Sequence, residues 1–492
     1  MNNNKETNVY LYDLTARIDN ELVTDAFNNA KENKKKSNIK RWPKWMGAIA
    51  AVLAIALLVI NMPKLPLTVS AKAVSEASES RKPERPKKGA TEEQYREWSA
   101  QWDARSKLIE TARTPIGDFS GLVSGEVLSG LDDTNRVWSP VNAYIALAMT
   151  AELTGSETQA EILDILGVAD TEELRSLVSA VWEQIYEDDG KEISVLANSL
   201  WLDDDAEFVQ DKMDSIAYNY YASVYQGDLG SEKTNKAMTN WMRNQTGGLL
   251  KDRTQKCQLE PEDQVLAIAS TIYFQSQWID QFKASDNTHK IFHAVTDDKE
   301  ATFMNKKEYH MNYYWGEDYG AVQMHLENGS DMWFILPDEG KTVDDVLARD
   351  EYMGMITRSS NDSEEKSNHK CMKVNLSVPQ FDVSASVDLK EALQSVGLTK
   401  IFEAAQGNDF SPSIIKANES NDPVYLDSIN QDTRVKIDEK GVVAASYIEM
   451  DFGAGAAMPP DEIIDFVLDK PFVFAITSSQ IPLFIGTVNT PE

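Results

Sequence analysis

The chain has 492 residues and a formal net charge of -31. A partner made of phosphate backbone needs clustered cations facing it, so a balance this acidic excludes nucleic acid. Hydrophobic residues make up 42%, with 11 Trp and 16 Phe, which is enough for a large core and excludes a mainly disordered chain.

Residues 1–44 include "LTARIDNELVTDAFNNAKENKKK", which reads as a short helix with a solvated face in a cytoplasmic tail. The apolar run "WMGAIAAVLAIALLVINM", residues 45–62, has the length that crosses a hydrocarbon layer of ~30 Å. Lys31, Lys34, Lys35, Lys36, Lys40, Arg41 and Lys44 precede it, and such clustering keeps the amino-terminal side in the cytoplasm. The preferred reading is a single-pass membrane anchor with the rest of the chain outside the cell. The alternative is secretion after signal cleavage near Val69-Ser70-Ala71, although some forty polar residues would be a long leader.

Residues 63–113 read as an extracellular tether, polar and Pro-containing in "SEASESRKPERPKKG" and ending in a short amphipathic helix. Thr91 and Gln94 have the spacing of a capping box, and Tyr95, Trp98, Trp102 and Ile109 share one helical side, which predicts packing on the body.

From residue 114 to 492 helical and strand segments mix without regular alternation, giving an α+β class for one large domain. "AYIALAMTAELTG" and "TQAEILDILG" read as helices with Gly at their ends, and "ISVLANSLWL", "VLAIASTIYFQSQW" and "MWFILP" as central strands. "FVFAITSSQIPLFIGTVNT" adds two apolar strands around a turn. Cys257 and Cys371 are expected to be free, packed thiols. "HKIFH" has a spacing that could hold a metal on a helix, but "KIFHAV" alternates as a strand, so no metal and no cofactor are expected. There is no GxSxG elbow, so the body supplies no nucleophile of its own and is not expected to be an enzyme.

"KIDEKGVVAASYIEMDFGAGAAMPP", residues 436–460, carries two signals at once. Val442, Ala444, Ser446, Ile448, Met450 and Phe452 form one face, while Val443, Ala445, Tyr447, Glu449 and Asp451 form the other, as in a half-buried strand. The Gly, Ala and Pro that follow belong to an exposed loop.

Seven stretches in order over residues 114–492 resemble the serpin family: "VWSPVNAYIALAM", "NSLWL", "NWMRNQTGGLLKD", "TIYFQSQWIDQF", "VPQFDVSASVDLKEALQSVGLTKIF", "KIDEKGVVAAS" and "FVLDKPFVFAITSSQIPLFIGTVNTP". The resemblance implies a membrane-anchored, bacterial-type serpin: a body of three β-sheets and about nine helices with an exposed reactive-centre loop, behind a single transmembrane helix. Loop insertion is the switching transition associated with that family. A protease attacks the loop, and the freed hinge then threads into the main sheet while the acyl-enzyme is still attached. About 14 residues at ~3.3 Å each would span roughly 45 Å, and this is the role in which the loop's alternation makes sense.

Carried onto this sequence, the resemblance places the hinge at Glu439, Gly441, Val442, Ala444, Ala445 and Ser446, and the breach tryptophan at Trp278. It places the shutter at Ser139, Asn142, Ser270 and Gln431, as polar groups bonding across the sheet opening. Val442 and Val443 depart from the family's Thr and Glu, and Tyr447 and Ile448 are bulkier than usual. The reactive bond falls among Gly455, Ala456 and Ala457, in a register open by about two residues. Small residues at the cut imply an elastase-like or subtilisin-like serine protease as partner. The alternatives are a cysteine protease, or a non-inhibitory surface binding protein on the same fold. The inhibitor is expected to be a monomer.

Overall fold

The computed structural model describes residues 71–246, 265–357, 368–403, 408–417, 423–426, 429–442 and 462–491. The apolar run 45–62, Cys257 and the loop residues 443–461 lie outside the described residues. Within the described residues no helix is long and apolar enough to cross a membrane.

Three sheets organise the described chain. The main sheet runs in the order β1 (Lys72–Ser75), β6 (Ala222–Gln226), β4 (Ile193–Leu202), β7 (Leu266–Gln277), β16 (Gly441–Val442), β15 (Asn430–Asp438) and β13 (Phe381–Asp388), with β3 (Glu187–Asp188) on β4. The second runs β17 (Ile463–Val467), β12 (His369–Pro379), β9 (Asp298–Trp315), β10 (Tyr319–His325), β11 (Ser330–Pro337), β18 (Phe472–Ser478), β19 (Ile481–Val488) and β2 (Arg136–Trp138), with β8 (Thr288–His293) on β9. β5 (Glu207–Phe208) and β14 (Ile414–Lys416) form the small third sheet. "HKIFH" lies in β8, as its alternation predicts, and among the described residues no His, Cys, Asp and Glu group could hold a metal.

Nine α-helices occur among the described residues: α1 (Glu92–Leu128), α2 (Pro140–Leu153), α3 (Ser156–Ile165), α4 (Thr171–Ile185), α5 (Gln210–Asn219), α6 (Glu232–Gln245), α7 (Val343–Leu347), α8 (Asp350–Thr357) and α9 (Lys390–Ser395). The α1 start follows the sequence, because Thr91 and Gln94 form the reciprocal capping box. α2 is buried almost all round, which explains its uninterrupted run of apolar and small residues. Of the two expected glycine stops, Gly167 takes the left-handed conformation after α3 at φ +67°. Gly155 does not: it is the N-cap of α3, and a Cβ there would meet Asp409 and Pro412 at 2.9 Å.

The main core lies between the inner face of the main sheet and the second sheet. Phe274 meets Phe484 edge-on at 6.1 Å, and Phe381 meets Phe474 at 5.1 Å. A smaller cluster of Trp201, Met238, Trp241 and Ala269 seats α6 on the opposite face.

Three expectations change. The helix expected to end the tether continues for 37 residues, so the boundary at 113/114 falls inside α1. Its second half buries Ile116, Phe119 and Val123, and residues 71–90 lie on the body instead of hanging free. β1 pairs antiparallel with β6 at the edge of the main sheet. The composition of this stretch is that of a linker, but Arg81 pairs with Glu183 and Ser179 and Lys82 donates to Tyr186 O. Cys371 is exposed on β12 rather than packed.

Candidate functional site at the mouth of the main sheet

β15 ends at Asp438 and the chain reverses through Glu439 and Lys440 into β16. The Asp438 carboxylate closes the turn by accepting from the N–H groups of Lys440 at 2.8 Å and Gly441 at 3.3 Å, the side-chain mimicry of a backbone turn for which Asp is favoured. Each carbonyl of the turn then meets a fixed donor. Trp278 Nε1 donates to Asp438 O at 2.9 Å. Phe282 N–H donates to Glu439 O at 3.0 Å, and Trp278 N–H to Lys440 O at 2.9 Å. The Glu439 carboxylate accepts from Gln380 Nε2 at 2.9 Å and from Asn287 Nδ2. Trp278 is fully buried, so its ring fixes the hinge turn and packs on Phe282.

Beyond the turn, Gly441 pairs with Gln277 and Val442 with Ser276, while Val442 also faces Ile437 of β15. β16 therefore stands between β7 and β15. A side chain at Gly441 would strike the Ser276 carbonyl oxygen and approach Gln277 Cα to 2.7 Å, so the close backbone approach demands glycine. Val442 is 1% exposed and belongs to the core. Its inward direction is the phase read from the sequence. Ala444, Ala445 and Ser446, the rest of the expected hinge, lie outside the described residues, as do Gly455, Ala456 and Ala457.

The end of β7 is held from the other side by the β10–β11 hairpin. Glu327 N–H donates to Gln277 O at 2.9 Å and Ile279 N–H to His325 O at 3.1 Å. Ser276 Oγ donates to the buried Glu192 and accepts from Asn328 N–H at 3.3 Å. His325 Nδ1 lies 2.6 Å from Asp331, and that hydrogen bond raises the imidazole above its ordinary value.

Lower in the sheet, the four expected shutter residues are divided. Gln431 closes on the backbone of Ser139, accepting its N–H at 2.7 Å and donating to its C=O at 2.9 Å. Ser270 donates to Asn198 Oδ1 at 2.8 Å, and Asn198 Nδ2 donates to Tyr220 O at 3.2 Å. Asn142 is buried in the first turn of α2, and neither its Oδ1 nor Ser139 Oγ has a hydrogen-bond partner. The polar groups thus make two separate locks, not one bridge. Asn198 was missed by the sequence reading; an amide in the middle of the otherwise apolar "ISVLANSLWL" was the available signal, because a buried amide must find partners.

The described residues thus form a three-sheet α+β body in which β16 stands between β7 and β15 at one end of the main sheet. The model of the family described as serpin, serine protease inhibitor, matches residues 117–491, and the chain belongs to the serpin family. Serpin-ZX of Arabidopsis thaliana is 25% identical over 73% of this chain and 93% of its own length. Plasminogen activator inhibitor 1 of Bos taurus is 23% identical over 81% and 96%. Among solved structures, the thermophilic serpin tengpin in its native state aligns with a TM-score of 0.67 at 24% identity, covering 77% of this chain and 94% of that one. Human thyroxine-binding globulin in complex with its hormone aligns at 0.64 with 21% identity, covering 78% and 99%. Proteins named as inhibitors and one named for binding thyroxine thus share this fold.

Proposed function

We propose that this serpin is a suicide-substrate inhibitor of elastase-like or subtilisin-like serine proteases. It is held at the cell membrane by residues 45–62, with residues 63–492 outside. The observation that carries this reading is the hinge: Gly441 and Val442 already occupy the position of an inserted strand, with Val442 in the core. The alternation continues to Phe452 without charge or Pro on the inward face. Cleavage would free this strand to extend, each buried Val, Ile, Met or Phe adding roughly 1.5 to 3 kcal/mol. The intact form would then be kinetically held. The cut among Gly455, Ala456 and Ala457 suits a shallow apolar pocket.

The test is incubation with pancreatic elastase and with subtilisin. The expected result is an SDS-resistant adduct, with a released fragment beginning within two residues of Ala456. Cleavage without an adduct would overturn the inhibitory reading in favour of a binding role. Cutting at Lys440 alone would overturn the proposed bond.

A further inference from the structure

A cleft that loop trapping does not use opens between β9, β10 and the segment that follows β7. It encloses ≈ 220 Å³, less than the ~300 to 1,000 Å³ of sites for drug-sized molecules, so it has room for a small ion or a single side chain. Ile279 and Asp280 form one wall, Glu308 and Met311 of β9 a second, and Met324 and His325 at the end of β10 a third. Ile279 is 60% exposed while Met324 is buried, so the apolar side of the cleft is open to solvent at one end and closed at the other.

The charge in the cleft is unbalanced. Lys306 Nζ donates to Asp280 O at 2.6 Å and pairs with the Asp280 carboxylate at 2.9 Å and with the Glu308 carboxylate at 2.6 Å. An ammonium has three N–H donors, and with three oxygens this close Lys306 has none left for a ligand. Its side chain is also shut in, at 11% exposure, with Nζ 5.8 Å from the centre of the Phe282 ring. Each carboxylate meets Lys306 through one oxygen and keeps the other, and two negative groups share one positive. His325 does not offset the surplus, because Asp331 pairs with it at 2.6 Å. An anion would have only the imidazoles of His310 and His325 to meet, and two carboxylates to repel it. Among the described residues no His, Cys, Asp and Glu group could hold a metal, which leaves an organic cation as the ion that fits.

We propose that this cleft binds an alkylammonium group, its charge between the spare oxygens of Asp280 and Glu308 and its chain along Ile279, Met311 and Met324. Both carboxylates meet the same Lys306 Nζ, so they are close enough for one further ammonium to reach the pair, and thioether side chains adapt readily to an alkyl chain. The occupant lies against the segment that holds the hinge turn: Trp278 N–H donates to Lys440 O and Phe282 N–H to Glu439 O. A second cation joining Asp280 to Glu308 ties residues 278–282 more firmly to β9 and steadies that turn. The site does not depend on loop insertion. A free amine and a lysine side chain of another protein carry the same group.

The full chain, labelled with 13C-methyl methionine, tests this by titration with n-pentylamine at pH 7, with 1-pentanol and pentanoate as the neutral and anionic counterparts. The two signals are assigned through Met311→Leu and Met324→Leu. Pentylamine is expected to shift both saturably in the millimolar range, with the counterparts at least about tenfold weaker. Asp280→Asn and Glu308→Gln should each weaken it about tenfold, the share of one hydrogen bond to a charged group. Hydrogen exchange of the Phe282 amide should slow in saturating pentylamine. Nα-acetyl-lysine methylamide separates the two sources: binding as tight as that of pentylamine supports a lysine side chain, and its exclusion supports a free amine. No saturable shift, an equal response to 1-pentanol, or stronger binding of pentanoate would overturn the site. Unchanged binding in both variants would overturn its assignment to the two carboxylates, and unchanged Phe282 exchange would overturn the tie to the hinge turn. If neither variant folds, the comparison of pentylamine with 1-pentanol in the wild type decides alone.

Discussion

Gly441→Ala isolates the hinge, because the added methyl group has nowhere to go. In the structure it would collide with the Ser276 carbonyl and sit near Gln277 Cα, both backbone atoms of β7. Relief requires β16 to leave the sheet, which exposes Val442 and breaks its pairing with Ser276 and Ile437. Re-exposing a fully buried Val costs about 1.5 to 3 kcal/mol, and one or two net hydrogen bonds add about 1 kcal/mol each. The expected destabilisation of the intact chain is therefore about 2.5 to 5 kcal/mol, measured as a shift in urea midpoint at constant slope. Val442→Ala keeps the backbone in place and removes two methyl groups, for about 1.6 kcal/mol at ~0.8 kcal/mol each. Gly441→Ala should also make Lys440 accessible to trypsin. If it unfolds at the wild-type midpoint and resists trypsin equally, Gly441 is not confined by β7, and the reasoning about the parted sheet is wrong.

Gln431→Leu leaves the Ser139 N–H and C=O without the partners they have at 2.7 and 2.9 Å. At about 1 to 3 kcal/mol for each orphaned buried group, a loss of about 2 to 6 kcal/mol in chemical denaturation is expected, and a change under about 0.5 kcal/mol would contradict the lock. Glu152→Gln probes a second buried centre. Burial pushes this carboxyl up, but Arg175 at 2.7 Å and Lys212 at 3.0 Å together hold it below its ordinary value. A depressed carboxylate adds stability above its unfolded pKa that is lost as pH falls through the lower folded value. The wild type should therefore exceed Glu152→Gln in melting temperature at pH 7, with the gap closing on acidification; a gap independent of pH would refute the assignment. For His325 the sign reverses. Its raised value adds stability present below the unfolded pKa and lost as pH rises through the folded one, so the wild type should lead Asp331→Asn at pH 5.5 and lose that lead by pH 8.5.

The body was readable from sequence where one local rule governed the outcome. The Thr91–Gln94 box started its helix, and Val442 is buried on the face its alternation assigned. At the turn after β15 two residues were readable one by one: the backbone of β7 leaves no room for a Cβ at Gly441, and the Trp278 indole N–H meets the Asp438 carbonyl. What escaped depended on partners distant in the chain. Arg81 and Arg105 sit in segments with a solvent-facing composition, and only the fold brings Glu183, about a hundred residues away in the case of Arg81, to neutralise them. Asn198 was overlooked because its partner Ser270 lies opposite it on another strand. Gly155 looked like a helix stop until the packing of Asp409 and Pro412 against it gave a different reason for the missing side chain.

The position of β1 also gives the molecule a direction. Lys72 lies opposite Gln226 at the end of the sheet where Leu202 and Leu266 meet, whereas Gly441 lies opposite Gln277 at the other end of β7. Eleven steps of ~3.3 Å put these poles about 36 Å apart. The described chain thus enters at one pole of the main sheet and the proposed hinge stands at the other, so that, under the proposed insertion, a strand lengthening from Gly441 beside β7 would travel toward the pole where β1 begins.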